Sequence, residues 1–475
     1  MSNRTVETFE AAHDETPPPG WTVQGDAGWS FAAYEDIVAR WGTAGRQTFT
    51  RGAGITATAQ SAAGAFVSTL VSPPVSVAGL ARVQVRFDGH YRCGGAANRA
   101  EVVAWFDDAA PSTVLAYRLA EGYDNAGLDR INEGVVVELD VPAGAEHLTV
   151  GWRYTGSGDD GFWAIDNVEV APPLGPPVGD PQARIHVISD IQGSTGERNM
   201  VRLALPAAEQ AAPDLLALNG DLVAEGTEAA WDQFVAAFTS AGYPGRVISS
   251  IGNHEYYGGE DADTLRARFI ARTNEIQGTS YETVYKEVVV GGVPVVVLGS
   301  EDYDYAAQVG DGPFVTMSEE QWGWLEERFG HWLRQGTQVL VLCHQVLPRS
   351  VSGTYVDFTR NDFGDGLDRF RALLRAHPNV VMITSHTHWS LALHDWAVEH
   401  RPFPADATGI QIANTGALAN TFGPVGDADE AEIEPAMATG IVIEAFDDRM
   451  RIAAVDYTAG RVLQRIDFPN RAMTR

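Results

Sequence analysis

The chain of 475 residues contains two cysteines, Cys93 and Cys343, and one lysine, Lys286. The two cysteines fall in different predicted domains, and Cys343 lies in a predicted buried strand. A disulfide between them is therefore not expected. Two cysteines are also too few to decide between an oxidising and a reducing compartment.

Long apolar segments are missing as well. No apolar run approaches the ~20 residues that a membrane-spanning helix needs, so no membrane span is predicted. Met1 leads almost directly into domain-like sequence, without the basic stretch and apolar core of a signal peptide. We therefore expect either a cytoplasmic protein, as the sequence is written, or a secreted protein whose leader is missing.

Positive charge is scarce. The chain has 33 Lys and Arg residues against 63 Asp and Glu residues, which gives a formal net charge of −30. This charge repels polyanions, so a nucleic-acid partner is not expected and a nuclease is disfavoured. A small anion can still bind, because charges beyond a Debye length of ~8 Å are screened at physiological salt.

Five short polar clusters, each at the end of an apolar run, mark the second half of the chain. They are Asp190-Ile191-Gln192, Gly220-Asp221, Gly252-Asn253-His254-Glu255, His344 and His386-Thr387-His388. Strands that share a sheet can deliver residues from distant parts of the sequence to one edge. Oxygen and nitrogen ligands of these types are what two divalent metals need, so the pattern predicts a binuclear metal centre.

Each cluster also has a simpler interpretation. Gly220-Asp221 could be only a turn, and Asn253-His254 a turn with a capping asparagine. His344 could be a buried, hydrogen-bonded histidine, and His386 and His388 two surface imidazoles. The metal-centre prediction depends on all five clusters occurring together.

The ordered set resembles the calcineurin-like metallophosphoesterase superfamily. Its second motif, Gly-Asp-x-x-x-x-Gly, is complete at 220–226, and its third, Gly-Asn-His-Asp/Glu, is complete at 252–255. The resemblance spans roughly Arg184 to Phe468. It implies an α/β domain with a two-sheet β sandwich flanked by helices, and the rest of the sequence agrees. Helices are predicted over 203–212, 227–240 and 318–332, and a closing hairpin around Asp447-Asp448.

The resemblance also implies roles for individual residues. Asp221 would bridge the two metals; Asp190, Gln192 and His388 would complete the first metal; Asn253, His344 and His386 would complete the second. The expected reaction is in-line attack on phosphorus by a metal-activated water. His254 would then donate a proton to the leaving oxygen or stabilise the phosphoryl charge. Tyr256 and Trp389 are predicted to line the substrate.

Gln192 stands where the superfamily usually has a histidine. An amide oxygen is a weaker, harder ligand, so the first metal is expected to be manganese or magnesium more than zinc. For the pair of metals manganese is expected first, with iron, zinc or magnesium as alternatives. Asp190-Ile191-Gln192 is similar to the first motif of the manganese-dependent ADP-ribose/CDP-alcohol diphosphatases. That similarity favours a phosphodiester or pyrophosphate over a monoester as substrate. The alternative is that Gln192 is a surface amide at the start of a loop. Ser385 replaces the usual glycine before His386, so its backbone is expected to avoid positive φ.

The first third of the chain differs in composition. Short alternating segments such as 83–87 and 102–106, separated by Gly, Pro and Asp, predict an all-β jelly-roll sandwich. The proline-rich segment 172–182 is predicted to be a linker between a domain at 1–171 and the phosphoesterase domain at 183–475.

This segment resembles the MAM and cleaved-adhesin modules appended to secreted enzymes. The matching residues include Pro19-Gly20-Trp21 and Phe162-Trp163-Ala164-Ile165-Asp166-Asn167-Val168. The resemblance implies a calcium ion held by Glu10 and Asp166, although both could be ordinary surface acids or caps. A carbohydrate or other surface ligand would be the partner of such a module.

Two functions follow from these observations. The first is binuclear-metal-dependent hydrolysis of a small phosphate ester. The alternative is a catalytically weak or inactive metal-binding module, with the function residing in ligand binding by the jelly roll. His254 argues against this alternative, because a pure binding protein has no need of a proton donor.

Overall fold

The computed structural model describes residues 4–26, 28–33, 36, 54–60, 64–93, 97–117, 130–156, 161–303, 315–354, 362–403, 406, 408–425 and 429–474. The chain forms two compact units. The N-terminal unit comprises Met1–Pro176, Arg401–Gly409 and Gly426–Ala428, and the C-terminal unit comprises Pro177–His400, Ile410–Val425 and Asp429–Arg475.

The N-terminal unit consists of β-strands. They are β1 (Thr5–Glu7), β2 (Thr22–Gly25), β3 (Trp29–Ala33), β4 (Ile55–Gln60), β5 (Phe66–Val71), β6 (Val75–Ser76), β7 (Arg82–Arg92), β8 (Arg99–Phe106), β9 (Ser112–Tyr117), β10 (Arg130–Asp140), β11 (His147–Gly156) and β12 (Phe162–Ala171).

These strands form two antiparallel sheets. One has the order β10-β7-β12-β4-β3 with β1 on β12, and the other has the order β2-β5-β11-β8-β9 with β6 on β11. In β10, Val135 and Val137 are buried and Val136 is exposed, as expected for a strand with one face on a core. The sheets share a core that includes Phe87, Trp152 and Trp163. The predicted all-β sandwich is confirmed.

The C-terminal unit contains fourteen described strands. They are β13 (Ala183–Ile188), β14 (Leu215–Asn219), β15 (Val247–Ser250), β16 (Lys286–Val290), β17 (Val293–Val297), β18 (Val339–Leu342), β19 (Val380–Thr384), β20 (Ala397–His400), β21 (Ile410–Asn414), β22 (Phe422–Val425), β23 (Asp429–Glu432), β24 (Thr439–Ala445), β25 (Arg449–Asp456) and β26 (Arg461–Pro469).

Its described α-helices are α1 (Gly193–Asn199), α2 (Leu205–Ala211), α3 (Glu228–Ala241), α4 (Ala262–Gln277), α5 (Glu319–Arg334) and α6 (Leu367–Ala376). A π-helical turn (Met200–Ala204) joins α1 to α2, and 3₁₀ turns lie at His254–Tyr256, Gly364–Gly366 and Arg471–Thr474. No described helix is both long and apolar enough to span a bilayer.

Two six-stranded sheets organise this unit, with orders β15-β14-β13-β24-β25-β26 and β16-β17-β18-β19-β21-β20. Ile185 and Ile441 from the first sheet and Leu340 and Ile383 from the second belong to one buried cluster, so the sheets pack face to face. The helices cover the outer faces through two further clusters. This is the predicted two-sheet sandwich flanked by helices, and β24 and β25 form the predicted hairpin.

The helix boundaries follow local signals, with one exception. Thr227 caps α3 by accepting a hydrogen bond from Ala230 N at 3.3 Å, and Ser318 caps α5 by accepting one from Gln321 N at 3.2 Å. The helix predicted to start at residue 203 instead begins at Gly193. The π-helical turn directly before Pro206 accommodates a residue that has no N–H to donate, so the proline does not end the helix.

Candidate metal centre

The five polar clusters occupy equivalent positions in the two sheets. They follow β13, β14 and β15 in one sheet and β18 and β19 in the other, each beginning within two residues of the end of its strand. The strands are parallel within each of these sets. The carboxyl ends of parallel strands lie at one edge of a sheet, so the loops that carry the polar residues converge there.

Convergence produces two groups of potential ligand atoms. Asp221, His344 and His386 form one group, and Asp190, Asp221 and His388 form the other; within each group the ligand atoms lie within 4.8 Å of one another. Asp221 belongs to both groups. One carboxylate shared by two groups is the arrangement that a bridging ligand requires.

Individual distances show how tightly the groups are drawn. His344 Nε2 lies 3.2 Å from Asp221 Oδ2, and His388 Nε2 lies 3.0 Å from Asp190 Oδ1. Gln192 Nε2 is 3.0 Å from His388 Nε2, so the amide stands beside the second group. Asn253 lines the same cleft as Asp221 and His386. The structure thus brings together all seven predicted ligands.

Three oxygens at this place test whether the residues suit a cation. Among the residues that the structure describes, Asp190 Oδ2, Gln192 Oε1 and Asn253 Oδ1 are buried and have no hydrogen-bond partner. Buried acceptors without a partner are costly, whereas a hard divalent cation satisfies such oxygens. The donor set therefore fits divalent metals.

The backbone is unusual at four of the candidate ligands. Asp190 and Asp221 both have φ 52°, His386 has φ 69° and His388 has φ 55°. Left-handed conformations are uncommon for residues other than glycine and cluster at functional sites. Ser385 is not among the residues with positive φ, as predicted. Its hydroxyl instead accepts a hydrogen bond from Asn219 Nδ2 at 2.7 Å, which ties the end of β19 to the end of β14.

Two glycines of the motifs allow this close approach. A Cβ at Gly220 would lie 2.5 Å from His344 Nδ1, and a Cβ at Gly252 would lie 2.2 Å from Asp221 Oδ1. Neither position can accept a side chain without moving a candidate ligand.

Glu255 links the loop after β14 to the loop after β15 through hydrogen bonds. Its Oε2 accepts hydrogen bonds from Asp221 N at 3.0 Å and Gly252 N at 2.6 Å, and its Oε1 accepts one from Leu222 N at 2.6 Å. Burial and the charge of Asp221 raise the pKa of Glu255 to about 7. The acid of the third motif therefore positions the candidate ligand Asp221 and does not itself line the cleft.

Two imidazoles are oriented through their second nitrogens. His344 Nδ1 lies 2.8 Å from Asn219 O, and His388 Nδ1 lies 2.6 Å from Asn420 Oδ1. Such partners fix the ring and direct Nε2 towards the centre. Asn420 was not identified from the sequence, because it belongs to no motif and lies 32 residues after His388.

Electrostatics couple the groups. Burial alone would raise the pKa of Asp221, but His344 and His254 outweigh it and hold the pKa well below its usual range. Burial would lower the pKa of His344, but the charge of Asp221 raises it to about 10. Burial and the neighbouring His344 lower the pKa of His386 to about 3. Cation binding at Asp221 therefore competes with a proton held by the Asp221–His344 pair.

His254 lies beside the candidate ligands and is partly exposed. Its side chain is 28% exposed, its Nδ1 is 2.8 Å from Ala224 O, and its Nε2 is 3.9 Å from Asp221 Oδ2. The ring packs against Tyr257 at a centroid distance of 4.6 Å. The Tyr257 hydroxyl also accepts a hydrogen bond from Asn253 Nδ2 at 2.8 Å. This bond directs the amide nitrogen of Asn253 towards Tyr257 and its Oδ1 away from it.

A cleft of about 880 Å³ opens over the centre. The two residues predicted to line the substrate are not among its lining residues. Tyr256 is 4% exposed and donates its hydroxyl to Ser300 O, because the 3₁₀ turn directs it into the core and leaves Tyr257 on the cleft. Trp389 is 1% exposed and donates its indole N–H to Glu430, which does line the cleft.

The predicted calcium ligands lie in the N-terminal unit. Asp166 is fully buried, and burial followed by the charge of Asp88 raises its pKa well above the usual range. The charge of Glu10 also raises the pKa of Asp166. They do not, however, form a group of three described carboxylate or imidazole side chains with ligand atoms within 4.8 Å. Glu10 Oε1 accepts a hydrogen bond from Ile55 N at 2.8 Å.

A comparison with known protein families gives a match for part of the chain. The sequence profile of the calcineurin-like phosphoesterases matches residues 183–390. The comparison with curated proteins found no match.

Solved structures similar to the chain include a dimetal phosphatase from Danio rerio, with a TM-score of 0.45, 15% identity and coverage of 61% of this chain and 100% of that one. A cleaved adhesin domain of Lys-gingipain from Porphyromonas gingivalis has a TM-score of 0.25 and 14% identity, covering 36% of this chain and 99% of that one. TmCBM61 in complex with beta-1,4-galactotriose has a TM-score of 0.24 and 12% identity, covering 35% of this chain and 94% of that one.

The matched segment 183–390 contains all five motifs, and the two ligand groups that share Asp221 lie within it. The C-terminal unit therefore carries a calcineurin-like phosphoesterase domain, and the chain is a metal-dependent phosphoesterase with an additional all-β unit.

Proposed function

We propose that this enzyme hydrolyses a phosphodiester or pyrophosphate in preference to a monoester, and that it uses two divalent cations with manganese preferred at the first site. The observation that carries the proposal is the sharing of Asp221 by two groups of ligand atoms. The preference for a diester or pyrophosphate rests on the Asp190-Ile191-Gln192 motif.

Each cation has a defined set of candidate residues. The first cation would be held by Asp190, Gln192, Asp221 and His388. The second would be held by Asp221, Asn253, His344 and His386. When bound, the two cations supply Lewis-acid polarisation of the phosphoryl oxygens and lower the pKa of water.

His254 supplies the proton in this proposal. Its Nδ1–H donates to Ala224 O, and the partly exposed ring places Nε2 on the side of Asp221. A proton on Nε2 is then available to the leaving oxygen, or its charge stabilises the phosphoryl group. The packing of Tyr257 against the ring keeps Nε2 at this place.

The shape and charge of the cleft support a diester. A cleft of about 880 Å³ leaves room for groups on both sides of a phosphate. Arg198 is the only arginine or lysine among its described lining residues. A diester, with one negative charge, needs fewer cationic side chains than a monoester dianion. The direct test is a panel of monoesters, diesters and nucleoside diphosphates assayed with added manganese; faster turnover of monoesters than of diesters would contradict the proposal.

Asp221→Asn tests the binuclear arrangement. The substitution keeps the size of the side chain but removes the charge that both groups share, so hydrolysis should fall to background and metal content should drop. Elemental analysis and a diester assay on the same preparation measure both. Asp214→Asn, at an acid outside the centre that accepts a hydrogen bond from Arg184 N, is the matched control. Full activity of Asp221→Asn would rule out the mechanism.

Gln192 tests the manganese preference. If its amide oxygen is a ligand, Gln192→Ala should raise the manganese concentration needed for half-maximal activity. Gln192→His should tighten binding and shift preference towards zinc, since imidazole is the softer ligand. Titration of each protein with manganese and with zinc measures the change. Superimposable curves for all three proteins would make Gln192 a loop residue with no role in metal binding.

For the N-terminal unit we propose a jelly-roll module at 1–171, joined by a linker at 172–182, with a calcium ion near Asp166 and Glu10 and a carbohydrate or surface ligand as partner. The support for calcium is chemical. Asp166 is buried, and its Oδ2 has no hydrogen-bond partner among the described residues. The negative charges of Asp88 and Glu10 raise its pKa. Hard carboxylate oxygens of this kind suit calcium.

A further inference from the structure

The hairpin of β22 and β23 brings an acidic segment next to the metal centre. Phe422 N donates to His388 O at 3.0 Å, and Ser390 N donates to Phe422 O at 2.9 Å, so the hairpin is bonded directly to the loop that carries His388. Phe422 pairs with Glu432 across the hairpin, and Ile433 N donates to Thr421 O at 2.8 Å. The pairing therefore continues past the end of β23.

Three glutamates on this segment face the cleft. Glu430, Glu432 and Glu434 line it, whereas the intervening residues Ala431 and Ile433 do not. This is the alternation expected of an extended chain, in which every second side chain points to the same side. The trio is called the acidic wall below.

Among the residues that the structure describes, nothing neutralises the two outer carboxylates, those of Glu432 and Glu434. Glu432 and Glu434 are exposed, and among the described residues neither forms an ion pair with a lysine, arginine or histidine. Glu430 accepts a hydrogen bond from the buried indole of Trp389, which anchors the first carboxylate of the wall.

A second observation, separate from the acidic wall, indicates that the cleft is a ligand site. Asn253, only 3% exposed, lines it with an Oδ1 that has no hydrogen-bond partner among the described residues. One end of the cleft is thus prepared for cations and a phosphoryl group, and the same cleft carries the acidic wall. The rings of Tyr257 and Phe422 also line it. Aromatic faces and carboxylates together are the groups that bind alkylammonium ions.

We propose that the preferred substrate is a phosphodiester whose alcohol group carries a positive charge, and that Glu432 and Glu434, with Glu430, determine this specificity. The inference rests on the proposed function and narrows it. The phosphoryl group binds at the metal centre, and the cationic group of the alcohol lies against the acidic wall. A substrate with a second phosphate in that position would be repelled.

Two diesters of matched shape test the proposal. 4-Nitrophenyl phosphocholine carries a quaternary ammonium group, and 4-nitrophenyl 3,3-dimethylbutyl phosphate is its uncharged carbon isostere with the same leaving group. For the manganese-loaded wild type, kcat/KM should be higher for the cationic ester by about fivefold to twentyfold, the range that a few partly exposed charge pairs allow. The preference should weaken with added salt.

The variant Glu432→Gln/Glu434→Gln should bring the ratio close to one, because it removes the charges that hold the cationic group. The control Glu209→Gln/Glu282→Gln removes the same number of charges from exposed positions that do not line the cleft, and should keep the wild-type ratio. A wild-type ratio near one would overturn the inference, as would an equal loss of preference in the two variants.

Binding of the product monoesters separates this inference from the proposed function. Calorimetry on the manganese-loaded protein compares phosphocholine with 3,3-dimethylbutyl phosphate, without any need for turnover. Tighter binding of phosphocholine that is lost in Glu432→Gln/Glu434→Gln supports the acidic wall, even if neither diester is hydrolysed and the proposed function fails. If both diesters are hydrolysed and the two products bind equally, the proposed function is supported. The role of the acidic wall in substrate specificity is then rejected.

Discussion

At the scale of single residues, His254 has one ring nitrogen bonded to Ala224 O and the other beside Asp221. The candidate ligands around it should bind metal without its side chain, because only its backbone N–H, which donates to Asp221 Oδ1 at 2.9 Å, is hydrogen-bonded to a candidate ligand. The side chain can therefore be removed with little effect on the cations.

We predict that His254→Ala retains its metal but loses turnover by ~10²–10⁴-fold, the usual contribution of a general acid. The loss should be smaller for diesters with good leaving groups, because such groups depart without protonation. A series of aryl and alkyl diesters, assayed alongside elemental analysis, measures the dependence. An equal loss across the series would instead assign His254 to stabilising the phosphoryl charge.

At the scale of elements, β16 begins with a buried lysine. Lys286 is 6% exposed, and its ammonium lies 5.6 Å from the ring centroid of Phe269 and 5.1 Å from that of Tyr281. Burial lowers the pKa of Lys286 to about 7. The two rings favour the charged form and so partly oppose the effect of burial.

This lowered pKa has a consequence for stability. Between pH 7 and the pKa of ~10.4 of an unfolded lysine, the unfolded chain binds more protons than the folded protein, so the free energy of unfolding should rise with pH. Lys286→Met should remove this contribution and increase stability near neutral pH. Urea unfolding of the C-terminal unit from pH 7 to 9.5 measures it.

Lys286→Arg serves as the control, since its guanidinium stays charged throughout this range and should also abolish the contribution while lowering stability. Identical pH dependence in the wild type and Lys286→Met would show that the ammonium does not lose its proton on folding.

At the scale of the whole molecule, the net charge of −30 sets a background of self-repulsion that any added salt relieves. A specific calcium ion would add to this general effect, because a ligand that binds only the folded state stabilises it by about 2.7 kcal/mol at 100 times its Kd.

We predict that calcium raises the Tm of the N-terminal unit more than equal concentrations of magnesium, and that Asp166→Asn removes the difference. The general effect of sodium chloride should remain in the variant. Because burial raises the pKa of Asp166, the amide should be tolerated when calcium is absent. Scanning calorimetry in each salt measures the shifts; an equal response of wild type and variant to calcium would exclude Asp166 as a ligand.

Much of the centre could be predicted from sequence, because each candidate ligand ends an apolar run and the runs are short enough to be strands. Thr227 and Ser318 were likewise predictable as helix starts, since capping depends on neighbouring residues. These signals depend on residues that are neighbours in sequence, so they can be recognised without the structure. The shared position of Asp221 followed from the resemblance and from the chemistry of a carboxylate.

Other features depended on contacts between residues distant in sequence. Asn420 orients His388 only because the chain returns to the centre after β21, and Tyr257 rather than Tyr256 lines the cleft because a 3₁₀ turn sets their directions. From sequence alone the acidic segment at 427–432 is most simply interpreted as a solvated loop, with a cation site as the alternative. The pairing of residues 429–432 with β22 places Glu430, Glu432 and Glu434 on the cleft, and only the tertiary structure decides this.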